Sequence, residues 1–134
     1  MQLKRVVVTG VGALTPLGNS AAEYWEALKN GVSGAAPITR FDASKFKTQF
    51  ACEVKNFDPS EHFDRKEGRK LDLFSQYAMV TATEAMEDSG LDLDQINLDR
   101  AGVIWGSGIG GLETFRDEVM AFANGGGEPR FNPF

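Results

Sequence analysis

One pattern constrains this chain more than any other, and it occurs twice: a short apolar run, a glycine-rich loop, then a helix. The first copy is Val6-Val7-Val8, closed by Thr9-Gly10. The second is Ala101-Gly102-Val103-Ile104-Trp105, which breaks into Gly106-Ser107-Gly108-Ile109-Gly110-Gly111. A β-branched run without polar alternation suits a strand covered on both faces, as in a parallel sheet. Strand, glycine turn and helix in succession is the grammar of an α/β fold. Strands are therefore predicted over residues 3–9 and 101–106. Two or three strands are too few to make a doubly covered sheet, so more of the fold is expected outside these 134 residues. The closing Arg130-Phe131-Asn132-Pro133-Phe134 gives the same expectation, because two large aromatics suit a freely solvated tail poorly.

The helices carry local signals. Ser20-Ala21-Ala22-Glu23 has capping-box spacing, and Gly31 stands where the helix it opens should stop. That helix is expected to turn Tyr24, Leu28 and the Trp25 side toward a core. A longer helix is predicted from about Asp72 to Asp88, with Leu71, Phe74, Ala78, Ala82 and Ala85 on one row and Leu73, Tyr77 and Val80 on another. An apolar surface on more than one side implies burial on more than one side. Ser89-Gly90 ends it. A third helix is predicted from Leu112 to about Ala123, with Phe115, Val119 and Phe122 at helical spacing, and Gly125-Gly126-Gly127 either ends it or forms a mobile turn. Between the first two, Phe50, Cys52 and Val54 alternate with Ala51, Glu53 and Lys55 as a half-buried strand would. Asn56 to Ser60 reads as a turn.

Composition narrows the function classes. A net charge of -5 and a pI near 4.9 argue against a general nucleic-acid binder. No apolar run approaches the ~20 residues of a membrane-spanning helix, and the N-terminal valines are too few for a signal-peptide core. One cysteine, Cys52, excludes an internal disulfide framework and a multi-cysteine metal site. No metal, cofactor, nucleic acid or membrane is expected, and a cytoplasmic location fits.

Three constellations invite chemistry. Gly106 to Gly111 matches G-x-G-x-x-G, which would set a pyrophosphate against a helix N-terminus. That fingerprint also wants a strand ending in an acidic residue about 20 positions on; that distance lands near Glu128 to Phe131, after three glycines and with no strand. The surviving reading is a loop whose missing side chains permit close approach and movement. Cys52 lies on the apolar side of its predicted strand with no helix N-terminus beside it, so packing explains it better than catalysis. His62, the single histidine, stands in a polar turn. Arg65-Lys66-Glu67-Gly68-Arg69-Lys70 carries four positive charges and one negative in an acidic chain. It reads either as a solvated helix start or as a docking patch for an acidic partner. Positive charge at a helix N-terminus opposes the macrodipole, which favours docking.

Taken together, these segments resemble the N-terminal part of a β-ketoacyl-acyl carrier protein synthase of type II. The matching pieces are Arg5 to Gly12 with Thr15-Pro16-Leu17-Gly18-Asn19, Arg65 to Lys70, Ala85-Met86-Glu87-Asp88-Ser89-Gly90-Leu91, Gly106 to Leu112, and Asn132-Pro133-Phe134. They run through the whole chain in order, and Ile109 within the glycine loop favours type II over type I. The resemblance implies a thiolase-like fold, layered αβαβα and built of two related α/β halves, usually in a homodimer. Residues 1–134 would be the N-terminal part of the first half, ending before the nucleophile. It implies decarboxylating condensation of an acyl group, held on a cysteine, with malonyl-acyl carrier protein. The family's cysteine and two histidines match neither Cys52 nor His62, so no catalytic residue is expected within this chain.

Peripheral roles carry over by position. Ile109, with Gly108 and Gly110 around it, matches the mouth of the acyl pocket. Phe134, or the residue after it, matches the aromatic stretch lining the partner subunit's pocket. Lys66, Arg69 and Lys70 match the basic patch that receives acyl- or malonyl-loaded acyl carrier protein, and Arg130 is expected to join them. A non-catalytic chain-length-factor-like subunit is the second reading, and a nucleotide-binding α/β module the third. Alone, the chain is expected to be inactive and poorly soluble, because unpaired strands leave open edges and apolar faces.

Overall fold

The computed structural model describes residues 3–131. In chain order it contains α1 (Ala21–Lys29), β1 (Ala36–Pro37), β2 (Phe50–Ala51), a 3-10 turn at Pro59–Glu61, α2 (Arg65–Gly68), α3 (Leu73–Ser89), a second 3-10 turn at Leu98–Arg100, and α4 (Leu112–Asn124). The backbone gathers into two compact units. The first comprises the chain up to Phe57 with Val80–Leu98, and the second comprises Asp58–Met79 with the chain from Asp99 onward.

In the first unit, α1 begins and ends as its sequence dictates. The Ser20 hydroxyl accepts the Glu23 amide at 3.2 Å, while the Glu23 carboxylate accepts the Asn19 amide at 2.8 Å, one residue before the one a capping box would satisfy. At the other end the Gly31 amide reaches the Leu28 carbonyl and the Val32 amide reaches that of Ala27, with Gly31 at φ +63. This is a Schellman stop. The expected inward face is only partly realised: Tyr24 is half-buried, but Leu28 is exposed and Trp25 is 60% exposed.

The extended segment after the three valines lies on the backbone of α3. A side chain at Gly10 would stand 2.1 Å from the Ala85 carbonyl oxygen, and one at Gly12 would stand 2.1 Å from that of Thr81. Only glycine permits this approach. Carboxylates of α3 then bind the passing amides: Asp88 accepts from Val11 at 2.9 Å, and Glu84 accepts from Ala13 at 2.7 Å and Ala21 at 2.8 Å.

The strands depart from expectation. β1 and β2 pair antiparallel, Ala36 with Ala51 and Pro37 with Phe50, and no longer ladder forms among the described residues. The expected half-buried strand over Phe50–Lys55 thus shrinks to two residues, and Phe50 and Cys52 face solvent instead of a core. Beyond Ala51 the ladder stops, and the Glu53 carboxylate accepts the Thr39 hydroxyl at 2.7 Å and the Thr39 amide at 3.2 Å. Residues 3–9 and 101–106 form no ladder either. Val6 is 89% exposed and Ile104 is 99% exposed. A strand must find its hydrogen bonds in a neighbour, and no described segment supplies one here.

The helices follow expectation more closely. α3 runs from Leu73 to Ser89 and α4 from Leu112 to Asn124, each within a residue or so of the predicted bounds. Most of the two apolar rows of α3 are half-buried, whereas Phe115, Val119 and Phe122 of α4 are exposed. Among the described residues only Ala43 and Gln76 are buried. The chain presents 11212 Å² to solvent. A compact globule of its mass would present about 7000 Å², and two separate globules of half the mass about 8300 Å². Its apolar faces are thus largely uncovered.

Candidate functional site

The second unit holds the glycine loop and the basic cluster. One carboxylate-capped turn leads into the cluster, and a second carboxylate caps the cluster itself. Asp58 caps the turn at Pro59–Glu61, its Oδ1 accepting the Ser60 amide at 2.8 Å and the Ser60 hydroxyl at 2.7 Å. These bonds, the hydroxyl's first, hold the Asp58 carboxyl below the usual range, with a smaller contribution from the charge of His62. Asp64 then caps α2, its Oδ1 accepting the amides of Lys66 at 2.7 Å and Glu67 at 2.8 Å. The basic cluster is therefore a one-turn helix of its own rather than the start of α3. The negative cap also offsets the unfavourable placing of Arg65 and Lys66 in a first turn. Arg65, Lys66, Arg69 and Lys70 are all exposed.

A buried amide secures the end of this helix. Gln76, on the first turn of α3 and 8% exposed, donates from Nε2 to the Gly68 carbonyl at 2.9 Å and the Leu71 carbonyl at 3.0 Å. The two carbonyls bracket Arg69 and Lys70. Asp72 opens α3, its carbonyl accepting the amides of Ser75 and Gln76. Its carboxylate also accepts the Thr114 hydroxyl of α4, tying the N-terminal ends of the two helices together.

The glycine loop leans on the same elements. Gly111 is the N-cap of α4 at φ +68, and a side chain there would stand 2.8 Å from the Asp72 carboxylate. One at Gly110 would stand 2.8 Å from the Phe74 ring. Gly106 and Gly108 meet no atom within 4 Å, and Ile109 is 76% exposed. The loop is thus anchored at its C-terminal end and open to solvent at Gly106 to Ile109.

Of the predicted site residues, Lys66, Arg69 and Lys70 stand together on the short helix and its end. Arg130 is exposed and paired at 2.7 Å with Glu128. Gly108, Ile109 and Gly110 share the loop, and Phe134 lies outside the described residues. No group of His, Cys, Asp and Glu among the described residues could hold a metal, and no helix among them is long and apolar enough to cross a membrane. The sequence reading passed over Asp64 and Gln76. Asp64-Arg65-Lys66-Glu67 has acidic capping spacing, and Gln76 is a polar residue beside the apolar row of α3; either could have been noticed.

Solved structures share this backbone. A type II polyketide synthase ketosynthase, solved in complex with its acyl carrier protein and bound to the hexaketide, is 29% identical with a TM-score of 0.75 over 98% of this chain and 33% of that one. The ishigamide ketosynthase/chain length factor is 30% identical with a TM-score of 0.72, covering 95% of this chain and 32% of that one. A β-ketoacyl synthase from Burkholderia phymatum is 29% identical with a TM-score of 0.73 over 97% and 32%. The fold is that of the ketosynthases, α/β and thiolase-like. Residues 3–132 match the family described as β-ketoacyl synthase, N-terminal domain, and the chain belongs to that family. Curated relatives named 3-oxoacyl-[acyl-carrier-protein] synthase 2 include that of Coxiella burnetii, 49% identical over 100% of this chain and 32% of its own length. That of Synechocystis is 42% identical over 100% and 32%, and that of Staphylococcus aureus strain COL is 50% identical over 85% and 28%. The chain therefore spans about a third of the length of the curated relatives it matches.

Proposed function

We propose that this chain is the N-terminal part of the first thiolase-like half of a condensing enzyme of fatty-acid elongation, and that its own share is docking and pocket-shaping rather than bond-making. The observation that carries the reading is 49% identity along the entire chain to a 3-oxoacyl-[acyl-carrier-protein] synthase 2. In the proposed reaction an acyl group is first held as a thioester on a cysteine elsewhere in the protein. Malonyl-acyl carrier protein loses carbon dioxide as the bond to its carboxylate breaks, and the electron pair left behind forms an enolate. The enolate carbon attacks the thioester carbonyl, a C–C bond forms, the C–S bond breaks, and the cysteine leaves as thiolate.

Lys66, Arg69 and Lys70, with Arg130 joining them, would receive the acidic surface of acyl carrier protein. Ile109, Gly108 and Gly110 would stand at the acyl pocket, and Phe134 at the pocket of a homodimer partner. A cytoplasmic location suits this chemistry. The exposed basic helix supports the docking role, since clustered like charge outside a nucleic-acid binder favours an oppositely charged protein partner.

The test is a titration of the protein that carries this chain with acyl carrier protein at low and physiological salt. Saturable binding is expected, weakening with salt and at least tenfold weaker in the triple variant Lys66→Glu, Arg69→Glu, Lys70→Glu. Binding indifferent to salt and to charge reversal overturns the docking role. Condensation is tested in the protein that carries this chain, by release of carbon dioxide from malonyl-acyl carrier protein that depends on an acyl thioester. The likeness to a ketosynthase/chain length factor supports a second reading, a non-catalytic subunit. Thiol labelling by an acyl-mimicking electrophile, with the labelled residue mapped, separates the two, because only the condensing enzyme has a nucleophilic cysteine to label besides the exposed Cys52.

A further inference from the structure

We infer that Gln76 is a positioning residue for the docking segment, holding the backbone from which Arg69 and Lys70 project. The inference rests on the docking reading above. Its basis is the placing of one side-chain nitrogen: Nε2 donates to the Gly68 carbonyl at 2.9 Å and the Leu71 carbonyl at 3.0 Å, on either side of the two cations. Backbone bonds run alongside it, the Gly68 amide donating to the Asp64 carbonyl and the Lys70 amide to the Glu67 carbonyl, each at 2.9 Å. A one-turn helix is too short to hold itself together, so its C-terminal end depends on what grips it from outside.

The orientation of the amide is fixed. Turning it over would set Oε1 against two carbonyl oxygens, three acceptors with no proton among them. In the observed orientation Oε1 is buried and accepts no hydrogen bond among the described residues. A leucine or methionine would fill the same space without an orphaned oxygen. It would also leave the Gly68 and Leu71 carbonyls without this donor. The unpaired oxygen is tolerated in exchange for a fixed segment under the cations. Preorganised charges bind better than equally numerous mobile ones, because less side-chain and backbone freedom is lost on association.

The test uses the protein that carries this chain and two readouts, amide hydrogen exchange over residues 68–71 and affinity for acyl carrier protein. Gln76→Met keeps length and bulk but donates nothing. It should speed exchange at Lys70 and weaken binding roughly three- to tenfold, the effect of losing about one hydrogen bond's worth of order. Ala78→Gly, which loosens the same helix away from these carbonyls, should leave both readouts near wild type. If Gln76→Met does not fold, Gln76→Glu keeps the shape and replaces the donor with an acceptor. A wild-type chain in which residues 68–71 exchange like a free peptide overturns the inference without any variant. If the triple charge variant loses binding but Gln76→Met does not, the positioning role falls alone. If the triple variant binds like wild type, the docking reading falls and takes this inference with it.

Discussion

Gly111 meets two demands at once, a left-handed backbone at φ +68 and a carboxylate oxygen 2.8 Å from where a side chain would begin. An alanine there pays for both, so Gly111→Ala should destabilise the second unit by about 1–2 kcal/mol, read as a lower urea midpoint and faster exchange of the Phe115 amide. Gly108→Ala should leave stability unchanged, since nothing lies within 4 Å and its φ is not positive. If that variant impairs the proposed condensation in the protein carrying this chain, the loss supports the proposed place of the loop at the acyl pocket, since the fold is untouched. A second residue-scale expectation concerns acid. The Thr39 hydroxyl, and to lesser degrees the amides of Thr39 and Arg40, hold the Glu53 carboxyl below its ordinary value of 4.5. A lowered folded value means that the link is fully present above the ordinary value and is lost as pH falls through the folded one. The Thr39 amide signal should therefore titrate below pH 4.5, and Glu53→Gln should abolish that titration. The Ser20 cap was legible in the sequence because donor and acceptor lie three residues apart. The solvent exposure of Cys52 was not, because it depends on which strands are near.

At the scale of elements, the acidic face of α3 does what no loop residue could. Glu84 uses both carboxylate oxygens, one on the Ala13 amide at 2.7 Å and the other on the Ala21 amide at 2.8 Å. Bonds from a charged, half-buried acceptor are worth more than neutral ones, and Glu84→Ala should destabilise the first unit by about 2–3 kcal/mol. The check is a urea melt together with exchange at Ala13 and Ala21. Both amides should lose protection together, and loss at only one would mean that the two bonds act separately. The helices were readable to within a residue or so because a helix satisfies its own backbone, and its caps are local. Residues 3–9 and 101–106 read as strands and form none here, because periodicity reveals a side chain's preference and says nothing of whether a partner is present. The same reasoning explains why the basic cluster was found while Gln76 was passed over. Charge is visible in a list of residues, but an amide reaching two carbonyls five and eight positions back becomes visible only once the chain has folded.

For the molecule as a whole, uncovered apolar surface sets the behaviour. Val8, Val103, Ile104 and Phe115 are all exposed, and patches of that kind drive association. The chain alone should bind a hydrophobic dye under native conditions and associate as its concentration rises, measured by fluorescence and light scattering. A monodisperse, dye-silent chain would contradict this. The exposure reaches into thermodynamics as well. An unfolded chain of this mass presents about 21000 Å², so with 11212 Å² still in contact with water, folding hides only about half of it. A compact globule hides about two-thirds. Denaturant slope and heat-capacity increment both scale with the surface released on unfolding, so each should be about seven-tenths of that for an ordinary domain of the same length. Its melting should therefore be broad, and its stability unusually flat with temperature.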